Sequence, residues 1–308
     1  MMASTTDNST TNCASCGKEG GNLNTCNKCK MVKYCNAACK KKHRSKHKKA
    51  CEERVAELHD EELFKDPPYE DCPICVLPFP LDAGQTMFQS CCGKIICNGC
   101  ILAMIEEAHG RGKIGLCAFC RNPASSPGEE SIKRIKKLME ADNAYAFHQL
   151  AVYYDNGDHG MPQNIEKANE LYLKAGELGC ATAYLNLGIS YDNGDGVEVD
   201  KKKEKYYYEL AAMNGCVDAR HNLGLLDWKA GNYHRAYKHF ILSAKAGYKD
   251  SLDQVKIGFM GGHVTKDEYA NTLRAHQDRV DEMKSDVRDR ARANTIDDML
   301  RVDVLRVL

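Results

Sequence analysis

The sequence predicts a mainly α-helical fold, in which a solenoid of helical repeats follows two small cysteine-rich modules. Of the 17 cysteines in 308 residues, 15 lie before residue 121, so the two parts of the chain differ sharply in composition. Between residues 144 and 250, one pattern of Ala, Leu, Tyr and Gly recurs three times. A repeat period of about 20–50 residues is typical of stacked structural units.

Charge and hydropathy exclude several classes of protein. Lys plus Arg and Asp plus Glu each number 43, and the resulting net charge of zero argues against nucleic acid as a partner. The mean hydropathy is −0.53, and no stretch approaches the ~18 consecutive apolar residues of a membrane helix, so we expect no membrane partner. Residues 1–12 are polar and predict a disordered segment without a signal peptide, hence a cytoplasmic or nuclear location.

The first cysteine cluster, in residues 13–51, predicts a metal site. Without a secretory signal, dense cysteines favour metal binding over disulfide bonds. Two cysteines separated by two residues can turn both thiolates onto one ion, and zinc takes four sulfur or imidazole ligands. A segment this short has too few apolar residues to form a core, and bound zinc must therefore stabilise its fold. The eight predicted ligands are Cys13, Cys16, Cys26, Cys29, Cys35, Cys39, His47 and Cys51.

This spacing, with Tyr34 before Cys35 and Lys48 after His47, resembles the MYND finger. The resemblance implies two interleaved zinc sites. One would hold Cys13, Cys16, Cys35 and Cys39, and the other Cys26, Cys29, His47 and Cys51. The chain has Lys40 and Arg44 where the family usually has Gln and Trp, so the family's groove for proline-rich peptides would lack an aromatic wall.

A charged stretch follows the ligands of this cluster. Residues 40–49 contain seven basic side chains, a run typical of nuclear import, of nucleic-acid contact or of a solvated helix face. The neutral chain favours the solvated face. Residues 52–71 predict a linker helix that Pro67 and Pro68 stop.

The second cysteine cluster, in residues 72–121, offers eight further cysteines. They are Cys72, Cys75, Cys91, Cys92, Cys97, Cys100, Cys117 and Cys120. The order of Cys-Pro-Ile-Cys, a Cys-Gly turn, Ile-Cys-x2-Cys and a final Cys-x2-Cys-Arg resembles a RING finger. The resemblance implies that Cys72, Cys75, Cys97 and Cys100 share one zinc by the cross-brace of the family. With the first cluster, this predicts four zinc ions per chain.

The fourth ligand of the remaining zinc has two candidate sources. Lys94 stands where the family usually has a histidine, and a lysine does not bind zinc at neutral pH. Either Cys91 and Cys92 both join Cys117 and Cys120, or His109 supplies the ligand and one vicinal cysteine stays free. The all-cysteine set is favoured because it leaves no orphan thiol.

The RING resemblance also implies a partner surface. Such a module has no catalytic residue of its own and binds a ubiquitin-conjugating enzyme. The residues carried over to this role are Ile74 between the first two cysteines, Leu116 or Phe119 near the last pair, and Arg121 after the final cysteine. The other interpretation is that Ile74 and Phe119 fill a small core and Arg121 is a surface charge.

The repeated units, in residues 127–260, predict two helices each. Residues 181–194 repeat the pattern of residues 144–157, 37 residues later, and a third copy starts at residue 217. Ala146 and Leu150 fall on one helical face. A single unit cannot bury its apolar face alone, so neighbouring units must stack.

This pattern resembles the Sel1-like repeat, a relative of the tetratricopeptide repeat. The second copy matches the family pattern at Ala183, Leu187, Gly188, Tyr191, Gly194, Gly196, Val197, Asp200, Tyr208, Ala211, Ala212 and Gly215. The resemblance covers roughly residues 142–250 and implies a right-handed solenoid that binds a client protein.

Local signals place the ends of several helices. Gly179, Gly215 and Gly247 close the three copies and suit left-handed caps. Cys180 and Cys216, which follow two of these glycines, are predicted to be small buried helix residues. Ser126 is a candidate N-cap for a helix that joins the second module to the repeats.

The last region, residues 261–308, is strongly charged. Thr265 and Glu268 form a capping-box pattern that predicts a long charged helix. Residues 296–308 are interpreted as an amphipathic tail or partner contact, or as a frayed charged helix.

Two functions remain in competition at the level of the sequence. The first is a RING-type ubiquitin ligase whose repeats select a protein partner. The second is a non-enzymatic adaptor that scaffolds protein complexes. Both zinc clusters are saturated with protein ligands, which argues against a metal hydrolase.

Overall fold

The structure, a computed structural model, confirms the mainly α-helical prediction. It describes residues 12–20, 22–111, 116–123 and 128–293, in which there are twelve α-helices and two small antiparallel sheets. The chain divides into two compact units, the first up to Lys65 and the second from Asp66 onward.

The first unit is one long helix packed beside two short strands. β1 (Asn24–Thr25) pairs antiparallel with β2 (Lys33–Tyr34), and α1 covers Ala37–Leu63. The side chain of Asn36 caps α1 by accepting a hydrogen bond from the Cys39 amide at 2.9 Å. Four of the six described residues that it buries are cysteines, and the others are Tyr34 and Leu63, so the unit has little apolar core.

The predicted linker helix is the continuation of α1 and not a separate element. α1 runs for 27 residues and ends at Leu63, and residues 66–70 form no helix or strand. Ion pairs along its exposed second half, such as Arg54 to Glu57 at 3.0 Å and to Glu61 at 2.8 Å, support the helix in water. This segment contains Pro67 and Pro68, which cannot donate helical hydrogen bonds.

The second unit begins with the second cysteine-rich module. β3 (Thr86–Gln89) follows a single 3₁₀ turn and pairs antiparallel with β4 (Lys94–Cys97), and α2 covers Asn98–Arg111. Gly93 turns between the two strands with a φ of 69°. The small core of the module is made of Ile96, Ile101 and cysteine side chains.

The repeat array follows. Its helices are α3 (Glu129–Met139), α4 (Ala144–Asn156), α5 (Ile165–Glu177), α6 (Ala181–Asn193), α7 (Lys201–Met213), α8 (Val217–Lys229), α9 (Tyr233–Lys245) and α10 (Lys249–Met260). Helices α4 to α9 form three successive pairs, and each pair packs on the next. Stacking therefore buries the apolar faces, as the repeat pattern predicts.

Glycine on the first helix of a pair lets an aromatic ring of the second helix approach closely. A Cβ atom added at Gly188 would lie 2.4 Å from the Tyr208 ring, and one added at Gly224 would lie 2.5 Å from the Phe240 ring. Tyr208 and Phe240 are 4% and 0% exposed. The Leu-Gly pattern of the repeat thus serves close helix packing.

The predicted glycine caps are confirmed. Gly179, Gly215 and Gly247 follow α5, α7 and α9 with φ values of 103°, 94° and 100°. Cys180 is buried, as predicted, and Cys216 is half-buried, but both are the N-cap residues of α6 and α8 and not residues within a helix. Each follows a glycine in the left-handed conformation, at which the chain turns into the next helix. The spacing of residues in a single sequence does not distinguish an N-cap from a residue of the first helical turn.

Two charged helices end the described chain. The predicted capping box is present at the start of α11 (Lys266–Glu282), where the Thr265 hydroxyl accepts from the Glu268 amide. A further helix, α12 (Asp286–Ala293), packs against α2. The predicted N-cap Ser126 and the predicted tail, residues 296–308, lie outside the described residues; α3 begins after Gly128.

Polar contacts fix the second module to the array. Asn143 caps α4 by accepting from the Ala146 amide at 2.9 Å, and its Nδ2 donates to the Gly93 carbonyl at 3.2 Å. The Tyr145 hydroxyl donates to Glu70, and the Arg279 guanidinium lies 4.9 Å from the Tyr69 ring centre. The module and the array therefore belong to one compact unit.

Candidate metal centres and partner surface

Four Cys-x2-Cys segments share one backbone turn. In each, the residue after the second cysteine takes a left-handed conformation: Gly17 (φ 74°), Lys30 (56°), Val76 (56°) and Arg121 (62°). Its amide donates to the carbonyl of the first cysteine at 2.8, 3.0, 2.9 and 3.0 Å respectively. This tight turn brings both thiols of a pair to the same side of the chain. A side chain at positive φ is uncommon, so three of the four turns hold a strained residue.

The first module contains two groups of four metal-binding side chains. Within each group the ligand atoms lie within 4.8 Å of one another. One group is Cys13, Cys16, Cys35 and Cys39, and the other is Cys26, Cys29, His47 and Cys51. These are the sets implied by the resemblance to the MYND finger.

The distances in the first module fit tetrahedral zinc. A Zn–S distance of ~2.3 Å implies sulfur atoms roughly 3.8 Å apart at the corners of a tetrahedron. The Sγ atoms of Cys16 and Cys35 lie 3.7 Å apart, and those of Cys26 and Cys51 lie 3.9 Å apart. The Nε2 atom of His47 lies 3.2 Å from the Cys29 Sγ.

Helix α1 orients the imidazole ligand. His47 and Cys51 are four residues apart and therefore share one helical face. Tyr34, which is 2% exposed, packs edge-on against the His47 ring with centroids 6.4 Å apart. The Tyr34 hydroxyl contacts the His43 Nδ1 at 3.1 Å, so β2 is tied to α1 beside the ligands.

The second module contains two further groups, each of four cysteines. Cys72, Cys75, Cys97 and Cys100 form one, and Cys91, Cys92, Cys117 and Cys120 form the other. Their Sγ atoms lie 3.8 Å apart for Cys72 and Cys100, for Cys75 and Cys97, and for Cys92 and Cys117. The Cys91 and Cys120 Sγ atoms lie 3.5 Å apart. The first Cys pair is thus joined to the third, and the second to the fourth.

Both vicinal cysteines turn into the same group. Cys91 and Cys92 together meet the pair Cys117 and Cys120, which is the all-cysteine alternative. The alternative ligand, His109, has its side chain outside the described part of the chain. Four thiols already suffice for a tetrahedral site without it.

Backbone amides favour the thiolate form of several of these cysteines. The Cys35 amide is the main cause that lowers the pKa of Cys13 to about 6. Burial raises the pKa of Cys72, but hydrogen bonds from the Cys97 and Cys75 amides lower it to about 7. Zinc binds the thiolate, so these amides favour metal binding near neutral pH.

A guanidinium from the far end of the chain supports the Cys72 group. Arg288, on α12, is 3% exposed, and its Nη2 donates to the Cys75 Sγ at 3.2 Å. Its Nη1 donates to the Pro78 and Met283 carbonyls at 2.7 and 2.8 Å. Sequence reasoning missed Arg288, because nothing in its neighbourhood marks it as a partner of a cysteine.

The residues expected to form a partner surface lie at the outside of the second module. Ile74 is 39% exposed and Phe119 is 44% exposed, while Leu116 is half-buried. The Lys94 ammonium lies 6.0 Å from the Phe119 ring centre. Arg121 is exposed and holds the left-handed position of the last turn. These exposures disfavour the interpretation that Ile74 and Phe119 fill a core.

Comparison with protein families identifies two parts of the chain. The model of the MYND finger matches residues 13–51, and that of the Sel1 repeat matches residues 144–180, 181–216 and 218–248. The chain carries a MYND finger and three Sel1 repeats. These matches and the four ligand groups support zinc binding and a role in protein–protein interaction. For the second cysteine module, the resemblance to a RING finger rests on the order and grouping of its cysteines alone.

Several known proteins are similar to part of the chain. A sel1-like repeat-containing protein of Acanthamoeba polyphaga mimivirus is 36% identical over 20% of this chain and 12% of its own length. Chitin synthase regulatory factor 4 of Schizosaccharomyces pombe is 26% identical over 41% of this chain and 20% of its own length. The chain thus spans a small part of the curated relatives it matches.

Two solved structures are similar to part of the chain. A Sel1 repeat protein from Oxalobacter formigenes has 21% identity and a TM-score of 0.44, covering 58% of this chain and 71% of the other. A protective antigen of uropathogenic Escherichia coli with an SLR fold has 23% identity and a TM-score of 0.44, covering 57% of this chain and 37% of the other. In the described part of the chain, no helix has the length and apolar character needed to span a membrane.

Proposed function

We propose that the protein is a RING-type ubiquitin ligase that holds four zinc ions and selects its client through the Sel1 repeats. The observation that carries this proposal is the interleaving in the second module. There the Cys72 pair meets the Cys97 pair, and the Cys91–Cys92 pair meets the Cys117 pair. This cross-braced order is the one expected of a RING finger.

The ligand sets support a structural and not a catalytic use of the metal. Each of the four groups supplies four protein ligands, which leaves no position for a water or a substrate. The zinc ions would fold the modules. The chemistry would then occur on a bound conjugating enzyme, where a client amine attacks the thioester and the enzyme's thiol leaves.

Exposed apolar side chains offer a contact for that enzyme. Ile74 and Phe119 stand in the tight turns of the Cys72 and Cys117 pairs, which the metal would hold rigid. Rigid apolar anchors lose little entropy on binding and are typical of small, transient interfaces. Helix α12 covers α2 at Gly99 and Glu106 and leaves both anchors exposed.

The contacts within the second unit support a fixed geometry between enzyme and client. Asn143 to Gly93 and Tyr145 to Glu70 tie the module to the first repeat. A client bound to the repeats would therefore stand at a defined distance from an enzyme bound at Ile74. We further propose a cytoplasmic or nuclear site of action, where thiols remain reduced.

The decisive experiment is a ubiquitin-transfer assay with zinc-loaded protein and a broad panel of conjugating enzymes. Chain formation with at least one enzyme, lost on chelation, is the expected result. Fully zinc-loaded protein that is inactive with every enzyme would favour the non-enzymatic adaptor, in which the same modules only assemble complexes.

A further inference from the structure

A groove with a volume of about 440 Å³ runs beside α1 in the MYND finger. Tyr34 and Ala37 are among the residues that line it. Basic side chains line it, one from the second Cys-x2-Cys turn and four from α1: Lys28, Lys40, Lys41, Arg44 and Lys48. The one carboxylate among its lining residues is that of Glu52.

Helical periodicity gathers these charges on one face. Lys40, Arg44 and Lys48 are spaced four residues apart and so follow one another along α1. All five cations are exposed, and among the described residues none of the five is in an ion pair within 4.0 Å. Lys46 lies on the opposite face of the helix and does not line the groove. The groove therefore presents five positive charges that no carboxylate of the described residues neutralises.

We propose that this groove binds an extended acidic segment of a partner protein. From Lys40 to Lys48 the helix rises roughly 12 Å, which an extended chain covers in about four residues. Alternate carboxylates on such a segment would face one side of the groove and pair with the exposed cations. The groove shares no residue with the proposed ubiquitin-transfer surface, and this proposal does not depend on ubiquitin transfer.

The lining favours a peptide over a nucleic acid. Single strands bind by stacking bases on exposed aromatic rings along a basic groove. Two side chains with rings line this groove. One is the metal ligand His47, and the other is Tyr34, which is only 2% exposed. No ring is thus presented for stacking, whereas carboxylates require only the cations.

The test uses the full zinc-loaded chain and a short fluorescein-labelled peptide that alternates Glu and Val. Fluorescence anisotropy should show binding that weakens with added salt. A matched peptide with Gln in place of Glu should bind at least about tenfold more weakly, since it lacks the charges. Failure of the Glu peptide to bind would overturn the proposal.

Two variants that change the net charge by the same amount locate the binding site. Arg44→Glu should weaken binding of the Glu peptide about tenfold or more, while Lys46→Glu, on the opposite face, should change it less than about twofold. Equal losses in both variants would mean unspecific attraction to the positive finger, and so would overturn the proposal. Tighter binding of an oligothymidylate than of the Glu peptide would overturn it in favour of nucleic acid. Unchanged zinc content in both variants guards against misfolding, and Lys48→Glu provides a second variant on the groove side.

Discussion

Arg288 donates a hydrogen bond to the Sγ of Cys75 at 3.2 Å, across 213 residues of sequence. Four thiolates around one zinc ion leave the group negatively charged, and a buried guanidinium offsets that charge. Gly99 makes the approach feasible, because a Cβ atom there would lie 2.7 Å from the Arg288 Cγ. Helix α12 is therefore a structural part of the second zinc module.

Arg288→Met should weaken the zinc site of Cys72, Cys75, Cys97 and Cys100. The variant removes donors to Cys75 and to the Leu77 and Pro78 carbonyls, and loss of such outer partners typically costs about 10–100-fold in metal affinity. Release of zinc to a chromogenic chelator should show one of the zinc ions leaving about tenfold faster than in the wild type.

Arg290→Gln is the matched control for this prediction. Arg290 lies on the same helix and pairs with Glu106 at 3.0 Å, but it is exposed, and such ion pairs contribute about 0–1 kcal/mol. Its release profile should match that of the wild type. Gly99→Ala should reproduce the effect of Arg288→Met by displacing α12, without changing a ligand or the guanidinium. Wild-type zinc release in both Arg288→Met and Gly99→Ala would refute the supporting role.

Much of the candidate metal chemistry could be predicted because it is local. A Cys-x2-Cys spacing directs two thiols to one ion whatever surrounds it, and the repeat pattern specifies helices that must stack. The contacts of Arg288 with Cys75 and of Asn143 with Gly93 depend on how distant elements pack. No spacing in one sequence encodes such contacts.

The continuity of α1 had an available signal in the sequence. The linker helix was expected to begin near residue 52, yet residues 37–63 contain no Gly and no Pro that could end the helix of the finger. The boundary of the first module was placed at its last ligand, Cys51, but a metal ligand does not end a helix. The continuous α1 follows from that difference.

Replacement of Cys91 should distinguish the two proposed ligand sets. Because Cys91 and Cys92 both meet Cys117 and Cys120, Cys91→Ser should leave three thiols and lose one of four zinc ions. His109→Ala should retain all four. Elemental analysis of the purified variants measures this directly. Two or fewer tightly bound zinc ions in the wild type would contradict the proposed count.

A buried ion cluster predicts acid sensitivity in the repeat array. His239 is 0% exposed and lies 3.5 Å from the Asp227 carboxylate, which also contacts Arg235 at 2.9 Å. Burial lowers the pKa of His239 to about 4, although Asp227 opposes this. The stabilising effect of the neutral imidazole is complete above the unfolded pKa of ~6.5 and is lost as pH falls towards 4.

Between pH 7 and pH 4.5, His239 should therefore reduce the free energy of unfolding by on the order of 2 kcal/mol. Urea unfolding followed by helical circular dichroism measures the loss. His239→Gln should show a smaller difference between the two pH values than the wild type. Burial raises the pKa of Asp227, but its contacts with His239 and Lys205 lower it to about 2. The stability that this carboxylate contributes is therefore complete above pH ~4 and is lost only as the pH falls below that value. An unchanged pH dependence in the Gln variant would place the acid sensitivity elsewhere, for instance at the zinc sites.

The last prediction separates ubiquitin ligase from adaptor. Ile74→Ala should abolish chain formation, because a small interface depends on a few apolar anchors, and Ile74 is exposed enough for its truncation to spare the fold. Arg121→Asn should slow transfer more than it weakens enzyme binding, because the guanidinium would act on the ordered thioester state. Asn suits this site because it tolerates the left-handed φ of 62°. Single-turnover discharge and binding measurements separate the two effects, with zinc content as the control. Full activity in both variants would show that other residues bind the conjugating enzyme.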